Sequence, residues 1–308
     1  MAHMEYELLS RSENPYYPAV PALSPQPRSV NIIGVGFDGT ACFRKGASLG
    51  PDAIRRVSED IETYSPYLDM DLAEVGPLFD LGNLRVGASG DGNADWLVAH
   101  DSFAALTAGL DFTGDEIKVL ALGGEHSVSC SMIRKYLQTF PDLVLLHLDA
   151  HADLRDGYQG YHYSHAAVIR RCLDHFGPGH RLAQFGIRSG TREEFAWMRE
   201  NNTLYASLAE FAGFVENLGA ERPVYLTLDL DFFDPAFLPG TGTPEAGGED
   251  FLSFIRIVKL LKTKRLVGAD VVELAPAIDP TGNSDVFAAK VVRELILAFY
   301  GGETGHAG

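Results

Sequence analysis

Carboxylate and imidazole side chains follow four separate apolar runs of the 308-residue chain. They lie in GGEHS at 123–127, in DAHAD at 149–153, in DLDFFDP at 229–235, and at Glu273. In parallel α/β sheets, ligands bind beyond the carboxyl ends of the strands, where those ends converge. We therefore expect one site at which these acidic and imidazole groups lie together.

Four aspartates and two histidines packed together would repel one another strongly without a counter-charge. In an extended chain alternate side chains share a face, so Asp149, His151 and Asp153 are expected to point the same way. Two divalent cations would neutralise the carboxylates. Ligands rich in oxygen, with some nitrogen and no thiolate, favour Mn²⁺. Ions about 3.5–4 Å apart need shared carboxylates, and a hydroxide between them would be the nucleophile.

The segments around these motifs predict the elements that would position them. Apolar runs predict strands at 30–35, 118–122, 142–149, 181–187, 223–229 and 266–273. Helical spacing predicts helices at 51–64, 94–110, 128–140, 165–176, 193–201, 249–263 and 284–300. Alternating strands and helices indicate an α/β protein: a single-domain three-layer sandwich with a mostly parallel sheet.

No linker divides the chain, and we expect three segments. Residues 1–28 contain five prolines and predict an extended N-terminal arm, available for contact with a neighbouring subunit. Residues 29–300 would form the catalytic domain, and residues 301–308 a short C-terminal tail.

Composition limits the possible partners and location. A formal net charge of −17 argues against nucleic acid and suits a small cationic substrate. The three cysteines are widely spaced, as is typical of reduced thiols in the cytoplasm. We find no secretory signal, and no apolar segment reaches the roughly 20 residues of a membrane span. We expect a cytoplasmic protein without membrane contact.

Taken in order, the motifs resemble those of the ureohydrolases, the family of arginases and agmatinases. The resemblance extends to KGASLGP at 45–51 and to GTGTP at 240–244. It implies an arginase-like fold and a dinuclear manganese hydrolase that removes urea from a guanidinium substrate.

Carried over position by position, the resemblance implies two Mn²⁺ ions per subunit. One would be held by His126, Asp149, Asp153 and Asp229. The other would be held by Asp149, His151, Asp229 and Asp231. Asp149 and Asp229 would thus be shared. His147 lies two residues before Asp149, and we expect it to support the site or to pack in the core rather than bind a metal.

The resemblance also implies the catalytic residues. Glu273 matches the carboxylate that binds the substrate guanidinium, and parallel N–H···O bonds suit that pairing. His165 matches a histidine at the mouth of the site that contacts substrate and carries a proton. His162 lies in the same loop and stays open as an alternative. Asp153 is a second candidate to protonate the leaving amine.

The substrate is less closely defined by sequence. The tyrosines of the loop at 154–163 resemble agmatinase-like members, so agmatine is our first choice, with urea and putrescine as products. Arg155 in this loop keeps guanidinobutyrate open, and aminopropylagmatine and arginine remain alternatives. Ureohydrolases are usually trimers or hexamers, which we also expect here.

Two other classes are more distant alternatives. Polyamine deacylases share a related architecture but use a mononuclear site and typically a His-His pair, which this sequence lacks. Release of urea or of acetate would separate the two reactions. A non-catalytic polyamine-binding relative would be indicated by the loss of a ligand, whereas all six ligand positions are filled.

Overall fold

The computed structural model of the chain describes residues 8–301. The first seven residues of the predicted arm, and residues 302–308 of the predicted tail, lie outside the described residues. The strands are β1 (Leu9–Ser10), β2 (Val20–Pro21), β3 (Ser29–Val35), β4 (Tyr64–Ser65), β5 (Met70–Asp71), β6 (Leu78–Leu84), β7 (Ile117–Gly123), β8 (Val144–Leu148), β9 (Arg181–Phe185), β10 (Leu204–Tyr205), β11 (Pro223–Asp229) and β12 (Arg265–Val272). The helices are α1 (Gly50–Ser58), α2 (Gly92–Leu106), α3 (Ser129–Thr139), α4 (Val168–Leu173), α5 (Arg192–Glu200), α6 (Leu208–Glu216), α7 (Phe251–Leu261) and α8 (Asn283–Phe299).

The main sheet places the four motif-bearing strands side by side. Its order is β1-β6-β3-β7-β12-β11-β8-β9-β10, with β2 also paired to β6, while β4 and β5 form a separate hairpin. Within the described part of the chain, each pairing in the main sheet is parallel except that of β1 with β6. The carboxyl ends of β7, β12, β11 and β8 therefore meet at one edge of the sheet.

Helices cover both faces of this sheet. Leu120 and Leu122 of β7 belong to a core formed with α1, α6, α7 and α8. Val119 and Ala121 of the same strand belong to a second core, formed with α2, α3 and α4. Strand side chains alternate between faces, so two separate cores are expected of three layers. The predicted single-domain α/β sandwich is thereby confirmed. Over residues 8–301, no helix is long and apolar enough to cross a lipid bilayer.

The predicted elements differ from the structure in a few places. Helix α1 ends at Ser58, whose hydroxyl donates to the Arg55 carbonyl, whereas the prediction extended to residue 64. The last predicted residue, Tyr64, instead begins the hairpin of β4 and β5. Strand β6, helix α6 and the two-residue strands β1, β2, β4, β5 and β10 were not predicted.

Strand β6 depends on a buried ion pair. Its Asp80 accepts two hydrogen bonds from the Arg55 guanidinium of α1, at 2.8 and 2.9 Å. The Tyr16 backbone N–H donates to the same carboxylate. Both charged side chains are buried, so their pairing and hydrogen bonds allow β6 to carry an acid into the interior.

The described part of the arm packs on its own chain. Strands β1 and β2 both pair with β6 at the edge of the sheet. Between them Tyr16 is fully buried, and its hydroxyl donates to the Ala289 carbonyl of α8 at 2.9 Å. The arm therefore covers an edge of the sheet that would otherwise present unpaired backbone groups.

Candidate metal centre and active site

The ends of adjacent central strands bring imidazole and carboxylate groups together. His126 follows β7, Asp149 follows β8, Asp229 ends β11 and Glu273 follows β12. All four side chains are buried. Residues predicted from separate motifs thus meet at one edge of the sheet, as the sequence indicated.

The first group of possible ligands surrounds the ring of His126. Its Nδ1 lies 3.0 Å from Asp149 Oδ2, 3.0 Å from Asp153 Oδ2 and 3.5 Å from Asp229 Oδ2. Although the atom is buried, it makes no hydrogen bond within the described part of the chain. A buried nitrogen facing three carboxylates without a hydrogen bond fits a metal ligand.

A second group adjoins the first. His151 Nδ1 lies 2.9 Å from Asp231 Oδ2 and 3.6 Å from Asp149 Oδ1. Asp149, His151 and Asp231 are close enough together to hold an ion, and so are His126, His147, Asp149 and Asp153. Asp149 belongs to both groups. This arrangement suits two neighbouring cations that share a carboxylate.

The backbone conformation at two of these residues differs from the extended conformation that was predicted. Asp153 has φ 54° and Glu273 has φ 70°, both in the left-handed region. The extended backbone expected over 149–153 is therefore wrong at Asp153, although its carboxylate lies 3.0 Å from His126 Nδ1. Asp231 lies in a short 3-10 turn. Such conformations cluster at functional sites.

The electrostatics of the group also fit bound cations. Burial raises the pKa of Asp229 well above its ordinary value, and the charges of Asp231 and Asp149 raise that pKa further. Burial, followed by the charge of Asp149, raises the pKa of Asp153 to about 6. Divalent cations would reverse these shifts, because they favour the ionised carboxylates.

A hydrogen-bond network fixes the tautomer of His126. Thr227 Oγ1 donates to Asp270 Oδ1 at 2.7 Å, so at 2.8 Å from His126 Nε2 the hydroxyl must act as the acceptor. As a metal ligand, His126 would therefore keep its single proton on Nε2 and present the Nδ1 lone pair to the cation. In the metal-free chain burial lowers the pKa of His126, but the carboxylates of Asp149 and Asp153 outweigh burial and raise this pKa well above its ordinary value. Ser129 and Tyr225 also donate to Asp270.

Thr227 and Asp270 were not predicted from the sequence as residues of the site. Both lie inside fully buried stretches of mostly apolar strands, β11 and β12. A polar residue at such a position needs a partner. A buried polar residue in an apolar strand could have indicated that a partner exists, but not which residue the partner is.

His147 supports Asp149, as predicted from its spacing. The Gln184 amide nitrogen donates to His147 Nδ1 at 3.1 Å and to the Ala152 carbonyl at 3.2 Å. Thr203 donates to the Gln184 amide oxygen, which fixes the orientation of the amide. The His147 proton therefore lies on Nε2, which donates to Asp149 Oδ2 at 2.7 Å. This geometry favours a hydrogen-bond donor over a metal ligand.

A cavity of about 250 Å³ opens beside both groups. His126, Asp229 and Glu273 line it together with Tyr158. Glu273 Oε1 accepts a hydrogen bond from the His126 backbone N–H at 2.7 Å. Burial, followed by the charge of Glu125, raises the pKa of Glu273 well above its ordinary value. A cationic guest would favour the ionised carboxylate.

His162 and His165, the two histidines that follow the DAHAD motif, lie in different surroundings. His165 lines the cavity and meets the ring of Tyr158 edge-on at 5.9 Å. Burial, followed by the nearby charge of His151, lowers the pKa of His165 to about 4. His162 instead contacts Arg171 Nη1 at 2.9 Å and does not line the cavity.

Fold and site together define a metal-dependent hydrolase. The parallel α/β sheet carries adjoining aspartate and histidine groups beside one cavity. The chain belongs to the arginase family, because the family model for arginases matches residues 28–298. This confirms the resemblance to ureohydrolases that the motifs indicated.

Individual relatives match most of the chain. An agmatinase from Bacillus cereus is 40% identical, over 88% of this chain and 91% of the relative. An N(1)-aminopropylagmatine ureohydrolase from Thermococcus kodakarensis is 35% identical, over 83% of this chain and 85% of the relative. The crystal structure of a putative agmatinase from Clostridium difficile aligns with a TM-score of 0.79 at 36% identity, covering 90% of this chain and 98% of that chain.

The network behind His126 generates a testable prediction. Asp270→Ala should weaken metal binding by about 10- to 100-fold, because it removes the acceptor that orients Thr227 and, through it, His126. Isothermal titration calorimetry of the metal-free protein with Mn²⁺ measures this affinity. Asp285→Ala is a matched control, since Asp285 is also buried but pairs with Arg56 on α1. Equal Mn²⁺ affinity in both variants would contradict the network's role.

Proposed function

We propose that this protein hydrolyses agmatine to urea and putrescine with two bound Mn²⁺ ions. The observation that most directly supports the proposal is the pair of ligand groups sharing Asp149 beside a cavity that also contains Glu273. The agmatinase and aminopropylagmatine ureohydrolase relatives support a guanidino substrate.

The proposed ligand sets are those expected from the motifs. One ion would be held by His126, Asp149, Asp153 and Asp229. The other would be held by Asp149, His151, Asp229 and Asp231. The six side chains offer carboxylate oxygen and imidazole nitrogen, which suits Mn²⁺. Cys42 also lines the cavity, but burial raises the pKa of its thiol, so no thiolate is available near neutral pH.

Different residues would supply the nucleophile, hold the substrate and transfer protons. Bound divalent ions would lower the pKa of water and so supply the nucleophile at neutral pH. Glu273 would hold the guanidinium through parallel N–H···O bonds. His165 lines the cavity wall, and its lowered pKa keeps the ring neutral at pH 7, so it would hold a proton only transiently during transfer. We propose that His165 or Asp153 passes a proton to the leaving amine.

A second candidate substrate is N1-aminopropylagmatine, which has a longer tail. Arg155 and Glu194 line the 250 Å³ cavity and also an adjoining cavity of about 410 Å³. The Arg155 Nε lies 4.0 Å from Glu194 Oε2. We propose that a tail longer than that of agmatine would extend past this pair toward the second cavity.

One assay tests the proposal. Urea release with Mn²⁺ is measured on agmatine, N1-aminopropylagmatine, guanidinobutyrate and arginine, and acetate release on an acetylated polyamine. We expect the highest kcat/KM for agmatine and two Mn²⁺ per subunit by elemental analysis. A higher kcat/KM on another guanidino compound would make that compound the substrate in place of agmatine. Acetate without urea would indicate a deacylase, and polyamine binding without turnover a non-catalytic relative.

Replacement of the proposed guanidinium partner gives a second test. Glu273→Gln should lower kcat/KM by about tenfold or more, because one charge-assisted hydrogen-bonded pair contributes about 1.5–3 kcal/mol. Mn²⁺ content should stay at the wild-type value, since Glu273 is not a proposed ligand. Glu200→Gln on α5 is the control, because Glu200 is exposed and does not line the cavity. Wild-type kinetics in Glu273→Gln would overturn the assignment.

We further infer a trimer or hexamer in the cytoplasm. Tyr17, Val20 and Leu23 leave 47–62% of their surface exposed on the N-terminal arm, which supports a subunit contact there. All three cysteines are free thiols, which supports a reducing compartment. Light scattering gives the mass of the assembly directly, and a monomer would contradict the inference.

A further inference from the structure

A single tryptophan contacts both the metal-binding region and the loop that forms the cavity wall. Trp96 lies on α2 and is 2% exposed. Its Nε1 donates to the carbonyl of Ser127, the residue after His126, at 3.0 Å. Its ring stacks on Tyr163, with centroids 3.7 Å apart and planes at 4°. Tyr163 lies two residues before His165.

The orientation of the indole is fixed by further contacts. His100, one turn later on α2, stacks on the same indole at 5.3 Å with an interplanar angle of 9°. The His100 Nδ1 lies 3.0 Å from Ser131 Oγ on α3. Helix α3 follows the segment that carries His126. The indole is thus held by the same part of the structure that positions this proposed ligand.

The loop at 154–163 has a defined internal geometry. Tyr158 and Tyr161 exchange two backbone hydrogen bonds of 2.9 Å. The Arg155 guanidinium lies over the Tyr158 ring at 4.6 Å, and both side chains line the cavity. These contacts shape the loop internally, whereas the stack of Tyr163 on Trp96 places it against the metal-binding region.

We propose that Trp96 and Tyr163 are positioning residues. Their stack holds the cavity wall formed by Arg155 and Tyr158 at a set distance from the proposed metal ligands. It thereby determines how tightly the part of the substrate beyond the guanidinium is bound. This inference rests on the proposed function, since it requires a guanidino substrate with a tail.

A pair of variants at Tyr163 tests the stack. Tyr163→Leu removes the ring and should raise KM by about three- to tenfold; the free energy of one aromatic pair sets the upper end of this range. Since the wall affects binding more than chemistry, kcat should stay within about twofold of wild type, with unchanged Mn²⁺ content. Tyr163→Phe keeps the ring and should restore the wild-type KM.

A matched control separates positioning from general loss of packing. Phe214→Leu removes an aromatic ring that packs on Tyr205 at 5.0 Å and does not line the substrate cavity. It should leave KM unchanged even if the protein is less stable. Unchanged KM in Tyr163→Leu, or a fall in kcat and Mn²⁺ content without a change in KM, would overturn the proposal.

A spectroscopic measurement tests the contact without any substrate. The chain has two tryptophans, so Trp197→Phe leaves Trp96 as the only indole. In this background Tyr163→Leu should change the indole emission, and Tyr163→Phe should change it much less. If the wild type releases no urea from agmatine, the proposed substrate fails, and KM is compared on the guanidino compound that it does hydrolyse. If Tyr163→Leu leaves the emission unchanged, the inferred stack of Tyr163 on Trp96 is wrong.

Discussion

Repulsion among buried carboxylates is the constraint on which the rest of this site depends. Asp149, Asp229 and Asp231 lie together in the interior, where burial raises the pKa of Asp229 well above its ordinary value. Full ionisation requires compensating cations, and a hydrogen-bond network orients the His126 imidazole to bind one. The Thr227–Asp270 network directs the Nδ1 of His126 at the carboxylates. Hydrogen bonding around the proposed ligands is therefore as much a part of the site as the ligands themselves.

The parallel sheet brings the site residues to one edge, and local backbone conformations set the positions of their side chains. Strands β7, β12, β11 and β8 are neighbours, so residues far apart in sequence reach the same edge. Two site residues, Asp153 and Glu273, then adopt left-handed backbone conformations. Such conformations cost on the order of 1–3 kcal/mol each and persist only where the surrounding structure enforces them. Backbone hydrogen bonds hold both residues: the Ile169 N–H donates to the Asp153 carbonyl at 3.1 Å, and the Glu273 N–H donates to the Gly124 carbonyl at 2.8 Å.

Most of the fold and the location of the site could be predicted because their signals are local. Strand β11 has the predicted bounds, since its apolar run ends directly at Asp229. Strand β6 was missed because Asp80 and Asn83 interrupt its pattern, and the guanidinium that satisfies Asp80 comes from a different element. The network at Asp270 depends in the same way on distant partners. Spacing rules also failed at Asp153, because alternation assumes an extended backbone that the left-handed residue does not have.

The boundary between the two cavities has a consequence for how such proteins diverge. Arg155 and Glu194 belong to both cavities, and neither is among the proposed metal ligands. Mutations at this boundary would alter the length of tail that is accepted while leaving the machinery for guanidinium cleavage intact. A change of substrate tail would then leave the metal-binding and guanidinium-binding residues unchanged. Selection for the length of the substrate tail and selection for the hydrolytic reaction would act on different residues.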